Sequence, residues 1–275
     1  MTTRELLVSA WDTGPAAPLL CVAAVAGYAV RFRTRLGGRA ASFAAALAIF
    51  FLALASPVGV LARGYLFSAH MLQHLLLVLA VPPLLLLGLP RESDPGPRGP
   101  MLPPGPEVSA TAYVGPWLGG VGAMWLWHQR TLCNAAAMST SVQWFQTASL
   151  VALGLLFWRP ILAPRSQDRF HPFAAILYLF AACVACTVLG ILVTFSPVEL
   201  CSSYLDPVDH LGALPLLRDG WGLSRHADQE LGGLMMWVPP CVVYTTAILA
   251  SLARYYREEE GSMARPSHAP APEIK

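Results

Sequence analysis

His70 and His74, with Met71 between them, are the side chains in this sequence best equipped for chemistry. They stand in Phe67-Ser-Ala-His-Met-Leu-Gln-His-Leu-Leu-Leu-Val-Leu-Ala-Val-Pro-Pro83. Four residues apart on a helix, the two imidazoles share one face, and the thioether lies on its flank. Imidazole and thioether together suit a soft ion such as Cu(I) better than a hard one. An ionisable group inside an apolar run is expensive and marks a site by default. The bland alternative is helix-to-helix hydrogen bonding by Gln73 and both imidazoles, worth about 1 kcal/mol each.

Other candidates are weaker one by one. His128 closes Met124-Trp-Leu-Trp-His128, where it reads equally well as an interfacial belt residue and as a ligand. Met235 and Met236 follow Gly232-Gly233, a pair that permits close helix approach; filling the core is the usual work of methionine, ligation the rarer one. Asp228 at the start of the last apolar run fits a helix cap, or a carboxylate that orients a ligating imidazole from behind, as Gln73 also could. Cys183-Val-Ala-Cys186 lies mid-run with no strand or turn beside it, and thiols in apolar surroundings are usually inert. Cys133 and Cys201 fall in connections on one side and could pair there if that side is oxidising. Pro82-Pro83 removes two N–H groups from its helix and should bend or loosen it. No Ser/His/Asp triad, phosphate loop, zinc-protease motif or pair of intramembrane carboxylates is present. The sequence therefore does not read as an enzyme; catalysis would require a bound cofactor.

The elements that must position these residues are membrane helices. Of 275 residues 55% are hydrophobic and 12% are charged, against about 25% charged in an ordinary soluble domain. The apolar residues run uninterrupted, which predicts an all-α, polytopic bundle. Seven spans are expected, near 13–32, 40–60, 66–89, 108–128, 142–162, 173–195 and 231–252, in one membrane domain over 1–256. Residues 90–107 read as a flexible loop, 196–230 as a long connection over one mouth of the bundle, and 257–275 as a disordered cytoplasmic tail. A net charge of +2 without a basic patch gives no reason to expect nucleic acid.

Thirteen of the eighteen basic residues fall in the segments of one side, among them Arg31, Arg39, Arg159, Arg169 and Arg254. The positive-inside rule puts that side in the cytoplasm and the N-terminus outside. His70, Met71, His74, His128, Asp228, Met235 and Met236 then share the outer level, with Gln143 and Gln146 of the fifth span nearby.

Phe67-Ser-Ala-His-Met-Leu-Gln-His-Leu-Leu-Leu, Pro82-Pro83-Leu-Leu, Leu87-Gly-Leu-Pro90, Trp125-Leu-Trp-His128, Gly154-Leu-Leu-Phe-Trp-Arg-Pro160, Ser196-Pro and Asp228-Gln-Glu-Leu-Gly-Gly-Leu-Met-Met-Trp237 resemble the CtaG family of cytochrome c oxidase assembly proteins, in the same order from about residue 11 to 250. The resemblance implies a multi-pass protein of the bacterial inner membrane that helps mature a haem–copper oxidase of the respiratory chain. Its expected partners are oxidase subunits, a periplasmic copper donor and the lipid bilayer, and its expected cargo is Cu(I). Carried over by position, the metal residues are His70, Met71, His74, His128, Met235 and Met236, with Gln73 and Asp228 behind them. One departure stands out: the family's fifth span often opens with histidines, where this chain has Gln143 and Thr147. Two rivals remain: a haem-binding electron carrier with His74 and His128 as axial ligands, and a metal-free chaperone that holds an oxidase subunit through its helices.

Overall fold

A computed structural model describes residues 1–32, 38–90, 110–165, 168–198, 200–204 and 207–263. The described residues form helices and no strand. They are α1 (Thr3–Ser9), α2 (Ala16–Arg31), α3 (Gly38–Ala55), α4 (Pro57–Leu61), α5 (Phe67–Leu75), α6 (Val81–Gly88), α7 (Ala110–Trp127), α8 (Arg130–Met138), α9 (Thr140–Leu162), α10 (Pro172–Thr194) and α11 (Arg225–Met263). A widened turn, Leu76–Ala80, joins α5 to α6.

Each expected span coincides with helix. Five stretches among the described residues are long and apolar enough to cross a membrane: Gly38–Ala55, Phe67–Gly88, Thr140–Leu162, Pro172–Thr194 and Arg225–Arg257. α2 is shorter, and in α7 Gly115, Gly119, Gly120 and Gly122 dilute the hydropathy. Two expectations shift at their edges. The second span breaks at Ser56-Pro57, because proline suits a first helical turn and Ser56 Oγ accepts from Val58 N. The last helix starts at Arg225, inside the expected connection 196–230, and runs to Met263, past the expected start of the tail at 257. Residues 91–107 of the expected loop and 264–275 of the tail lie outside the described residues.

The Pro82-Pro83 prediction has a specific outcome. Pro82 cannot donate to the carbonyl four residues back, Val78 O. The helix widens over Leu76–Ala80, and the indole Nε1 of Trp158 donates to Val78 O at 3.0 Å. α9 comes this close because of Gly154: a Cβ there would stand 2.8 Å from Pro82 Cγ. A side chain of α9 thus repairs the backbone of the α5–α6 segment.

Small residues set the other contacts as well. A Cβ on Gly190 of α10 would lie 2.8 Å from Trp237 Cβ, and one on Gly233 of α11 would overlap Thr194 Oγ1. A Cβ on Gly232 would lie 2.6 Å from the Phe67 ring and 3.1 Å from Met71 Cγ. α11 is therefore wedged between α10 and α5. The connection 196–230 is ordered where described. Its Ala213 and Leu217 bury against Leu6, Ala10, Leu61, Tyr65 and Leu66, while Asp209 accepts from the amides of Ala213 and Leu214. Short α1, which no apolar pattern signalled, is held by a reciprocal cap between Thr2 and Glu5. That contact lowers the carboxyl pKa of Glu5.

Candidate metal centre

His70, Met71 and His74 lie on α5 where the sequence spacing puts them, and all three are buried, Met71 to 0% exposure and His74 to 1%. The His70 and His74 rings lie 4.2 Å apart, centroid to centroid, and the His128 ring stands edge-on to His74 at 5.5 Å. Apolar residues of α5, α7, α9, α10 and α11 surround them, including Phe67, Met71, Met124, Trp127, Leu150, Val193 and Met236.

The satisfaction of these groups is uneven. His128 Nδ1 meets the carbonyl of Met124, one helical turn back, so Nδ1 carries the proton and Nε2 keeps its lone pair. That lone pair faces Met71 Sδ at 3.1 Å. A thioether has no hydrogen to offer, so the contact brings two lone-pair donors together. Neither ring nitrogen of His70 nor of His74 makes a hydrogen bond of good geometry, although the Ala62 backbone, whose carbonyl already accepts from Tyr204, lies beside His70. Gln146 lies beside His74, yet its amide nitrogen also lacks a partner in good geometry. Buried polar atoms are nearly always hydrogen-bonded, and each unsatisfied one costs about 1–3 kcal/mol. Four such ring nitrogens beside a facing N/S pair fit a soft cation in donor type. Among the described residues no group of three or more His, Cys, Asp or Glu stands at metal-holding spacing, so a metal here would draw on sulfur or on a small approach of the rings.

The supporting residues divide differently from the sequence reading. Asp228 caps a helix, but not its own: Oδ2 accepts from Phe67 N at 2.8 Å, and Oδ1 accepts from Ser68 N at 3.0 Å and from Ser68 Oγ at 2.5 Å. The N-cap residue of α5 is Leu66, whose side chain cannot accept, and a carboxylate from α11 does the work instead. Asp228 thus fixes the start of the helix that carries the histidines rather than the rings themselves. Gln73 donates to Ala53 O of α3 at 2.8 Å, the helix-to-helix role. Met236 is buried in the same cluster as Met71, and Met235 packs against it. Met71 is the sulfur in contact with an imidazole. Gln143 and Thr147 line a separate cavity of about 210 Å³ with Asp12, Arg63, Gln73 and Trp144.

One feature escaped the sequence reading, and one that it left open, the Cys133–Cys201 pairing, is formed. Tyr204 lies over the cluster, its ring 5.7 Å from His70 and 5.9 Å from Phe67, its hydroxyl donating to Ala62 O at 2.7 Å. Burial, and then the Asp228 carboxylate, raise the pKa of its phenol. The turn that carries it is held twice. Cys133 and Cys201 form a disulfide, Cα–Cα 5.9 Å, and Asn134 Oδ1 accepts from Ser202 Oγ, Ser203 N and Ser203 Oγ. A tyrosine in a long polar connection gives no local signal of where it folds back.

The contact between the His74 and His128 rings leaves no slot for a porphyrin, so the axial-ligand rival does not fit. The CxxC pair points across to α11 instead of to itself: Cys183 Sγ lies 3.0 Å from Cys241 Sγ, and Cys186 Sγ 3.9 Å from the Tyr244 hydroxyl.

The model of the cytochrome c oxidase caa3 assembly factor family matches residues 23–258. No curated protein and no solved structure matches the chain.

Proposed function

Because the chain belongs to the cytochrome c oxidase caa3 assembly factor family, we propose that it acts in oxidase maturation by holding Cu(I) at the cluster of His70, Met71, His74 and His128 and passing it to an oxidase subunit. In this reading the seven apolar helices all span the bacterial inner membrane, with the N-terminus and the cluster on the outer side, as the distribution of arginine favours. A periplasmic donor would deliver the ion. Met235 and Met236 stand behind the first ligands as further thioethers. Neutral imidazole and thioether ligands hold Cu(I) and release it by ligand exchange, which suits a carrier better than an enzyme.

The observation that carries the reading is the facing pair, His128 Nε2 and Met71 Sδ, beside four ring nitrogens that make no hydrogen bond of good geometry. Packing alone explains buried histidines; it does not explain leaving them unsatisfied. The test is Cu(I) stoichiometry on the detergent-purified protein, wild type beside His70→Ala/His74→Ala. About one copper per chain, lost in a double variant that still elutes as a folded species, is the expected result. No copper in the wild type would favour the metal-free chaperone, with the assembly role in protein contacts.

A further inference from the structure

Among the described residues, the buried His, Asp, Glu, Lys and Arg side chains are His70, His74, His128 and Asp228. The three imidazoles form the cluster, and Asp228, 2% exposed, is the one acid. Its oxygens accept three hydrogen bonds from Phe67 and Ser68 and donate none, the pattern of a carboxylate. Among the described residues no Arg or Lys pairs with it. The start of α5 supplies roughly half an elementary positive charge, so a good part of the carboxylate's charge is left without compensation in an apolar interior. A cap needs an oxygen acceptor; Ser, Thr or Asn would serve. Capping alone therefore does not account for a buried charge.

We propose that Asp228 is the counter-charge of a monovalent soft cation at the histidine cluster. This rests on the metal reading above. Imidazole and thioether hold Cu(I) or Ag(I) without cancelling its charge, so the loaded ligand set carries one positive charge. A single carboxylate in the same apolar surroundings makes the assembly neutral, whereas a divalent ion would leave it charged. The position fits. Asp228 is one helical turn before Gly232, where Met71 packs, and its partners Phe67 and Ser68 open the helix whose next turn carries His70 and Met71. Its oxygens are occupied by α5, so Asp228 acts through space as a positioning charge and not as a ligand.

The test is titration of the full-length protein in detergent with Ag(I), and with Cu(I) under reducing conditions, for wild type, Asp228→Asn, Asp228→Glu and Ser68→Ala. Asp228→Asn keeps an oxygen acceptor and loses the charge; its affinity should fall at least tenfold, about 1.4 kcal/mol. Asp228→Glu and Ser68→Ala keep the charge and should stay within about threefold of wild type, whatever they do to the thermal midpoint. Wild-type affinity in Asp228→Asn, or equal losses in Asp228→Asn and Ser68→Ala, would overturn the counter-charge and leave the metal reading standing. Failure of the wild type to bind either ion would overturn both. Should Asp228→Asn not fold, Asp228→Glu against Asp228→Gln makes the same comparison one methylene further out.

Discussion

The two halves of the bundle treat buried polar groups in opposite ways. Around Phe157, Trp158, Tyr178 and Tyr244 the interior is aromatic, and most of its polar atoms are spent on structure. The Tyr178 hydroxyl donates to Phe157 O at 3.0 Å, Trp158 Nε1 to Val78 O, and Cys183, Cys186, Thr187, Cys241 and Tyr244 contact one another. Among the described residues the Trp117 and Trp237 indoles and Arg165 Nε are exceptions. At the histidine end the reverse holds: the shell is well bonded, with Asp228, Gln73, Tyr204, Asn134 and the Cys133–Cys201 disulfide all engaged, while the rings inside it are left open. On the proposed reading, the end that satisfies its polar groups is structural and the end that withholds partners holds the metal.

Mutation can break that comparison. The largest effect is expected from Trp158→Ala, which removes a fully buried ring and also frees the Val78 carbonyl that Pro82 cannot serve. A loss of about 3–5 kcal/mol is expected, read as a fall in the thermal midpoint in detergent. Copper stoichiometry should be unchanged in whatever fraction remains folded. Metal lost from protein that is still folded would show that the two ends are not separable.

At the histidine end a polar deletion should carry the opposite sign. His74→Leu replaces an unsatisfied ring with an apolar side chain and should raise the metal-free thermal midpoint, by an amount corresponding to about 1–3 kcal/mol, while abolishing copper binding. A destabilised His74→Leu protein would mean that the ring's packing outweighs its missing hydrogen bonds.

The smallest effect concerns neither end but the strap that joins them to the N-terminus. Asp12 pairs with Arg63 at 2.6 Å and accepts from Gly14 N at 2.8 Å. Partial burial works to raise its pKa, but the Gly14 amide and the Arg63 guanidinium prevail and hold its carboxyl below the usual carboxylate range. A depressed folded-state pKa contributes stability that is present above the unfolded value, about 3.9, and is lost as pH falls through the folded one. Both side chains are about one-third exposed, which keeps the contribution under about 1 kcal/mol. Asp12→Asn should therefore lower the thermal midpoint slightly at neutral pH and converge with wild type in acid below about pH 4. A constant difference across that range would assign the effect to the Gly14 turn instead of the charge.

How much was legible follows from what each signal measures. Long apolar runs state only that a segment must be helical and surrounded by apolar material, because an unsatisfied backbone is too costly in lipid. That was enough to locate the long helices to within a few residues, apart from the break at Ser56-Pro57 and the extension of α11, but not the short α1 and α8. The period of 3.6 residues states which side chains share a face of one helix, so His70, His74 and the flanking Met71 could be grouped before any fold was known. The sequence by itself determined this much: an all-helical membrane protein, a His/Met face on its third apolar run, and a helix bent or loosened where two prolines fall together.

Which face meets which helix is a different kind of fact, settled by shape between segments far apart in the chain. Only the tertiary structure decided that Asp228 caps a helix 161 residues away, that Met71 meets the His128 imidazole, and that Gln143 and Thr147 open onto a separate cavity. It alone brought Tyr204 over the rings and paired Cys183 with Cys241 instead of with its CxxC partner. The physical reason is the glycines. Gly154, Gly190, Gly232 and Gly233 let particular helix pairs approach until backbone and side chain interlock, and which pair each one serves is a property of the assembled bundle rather than of any one segment.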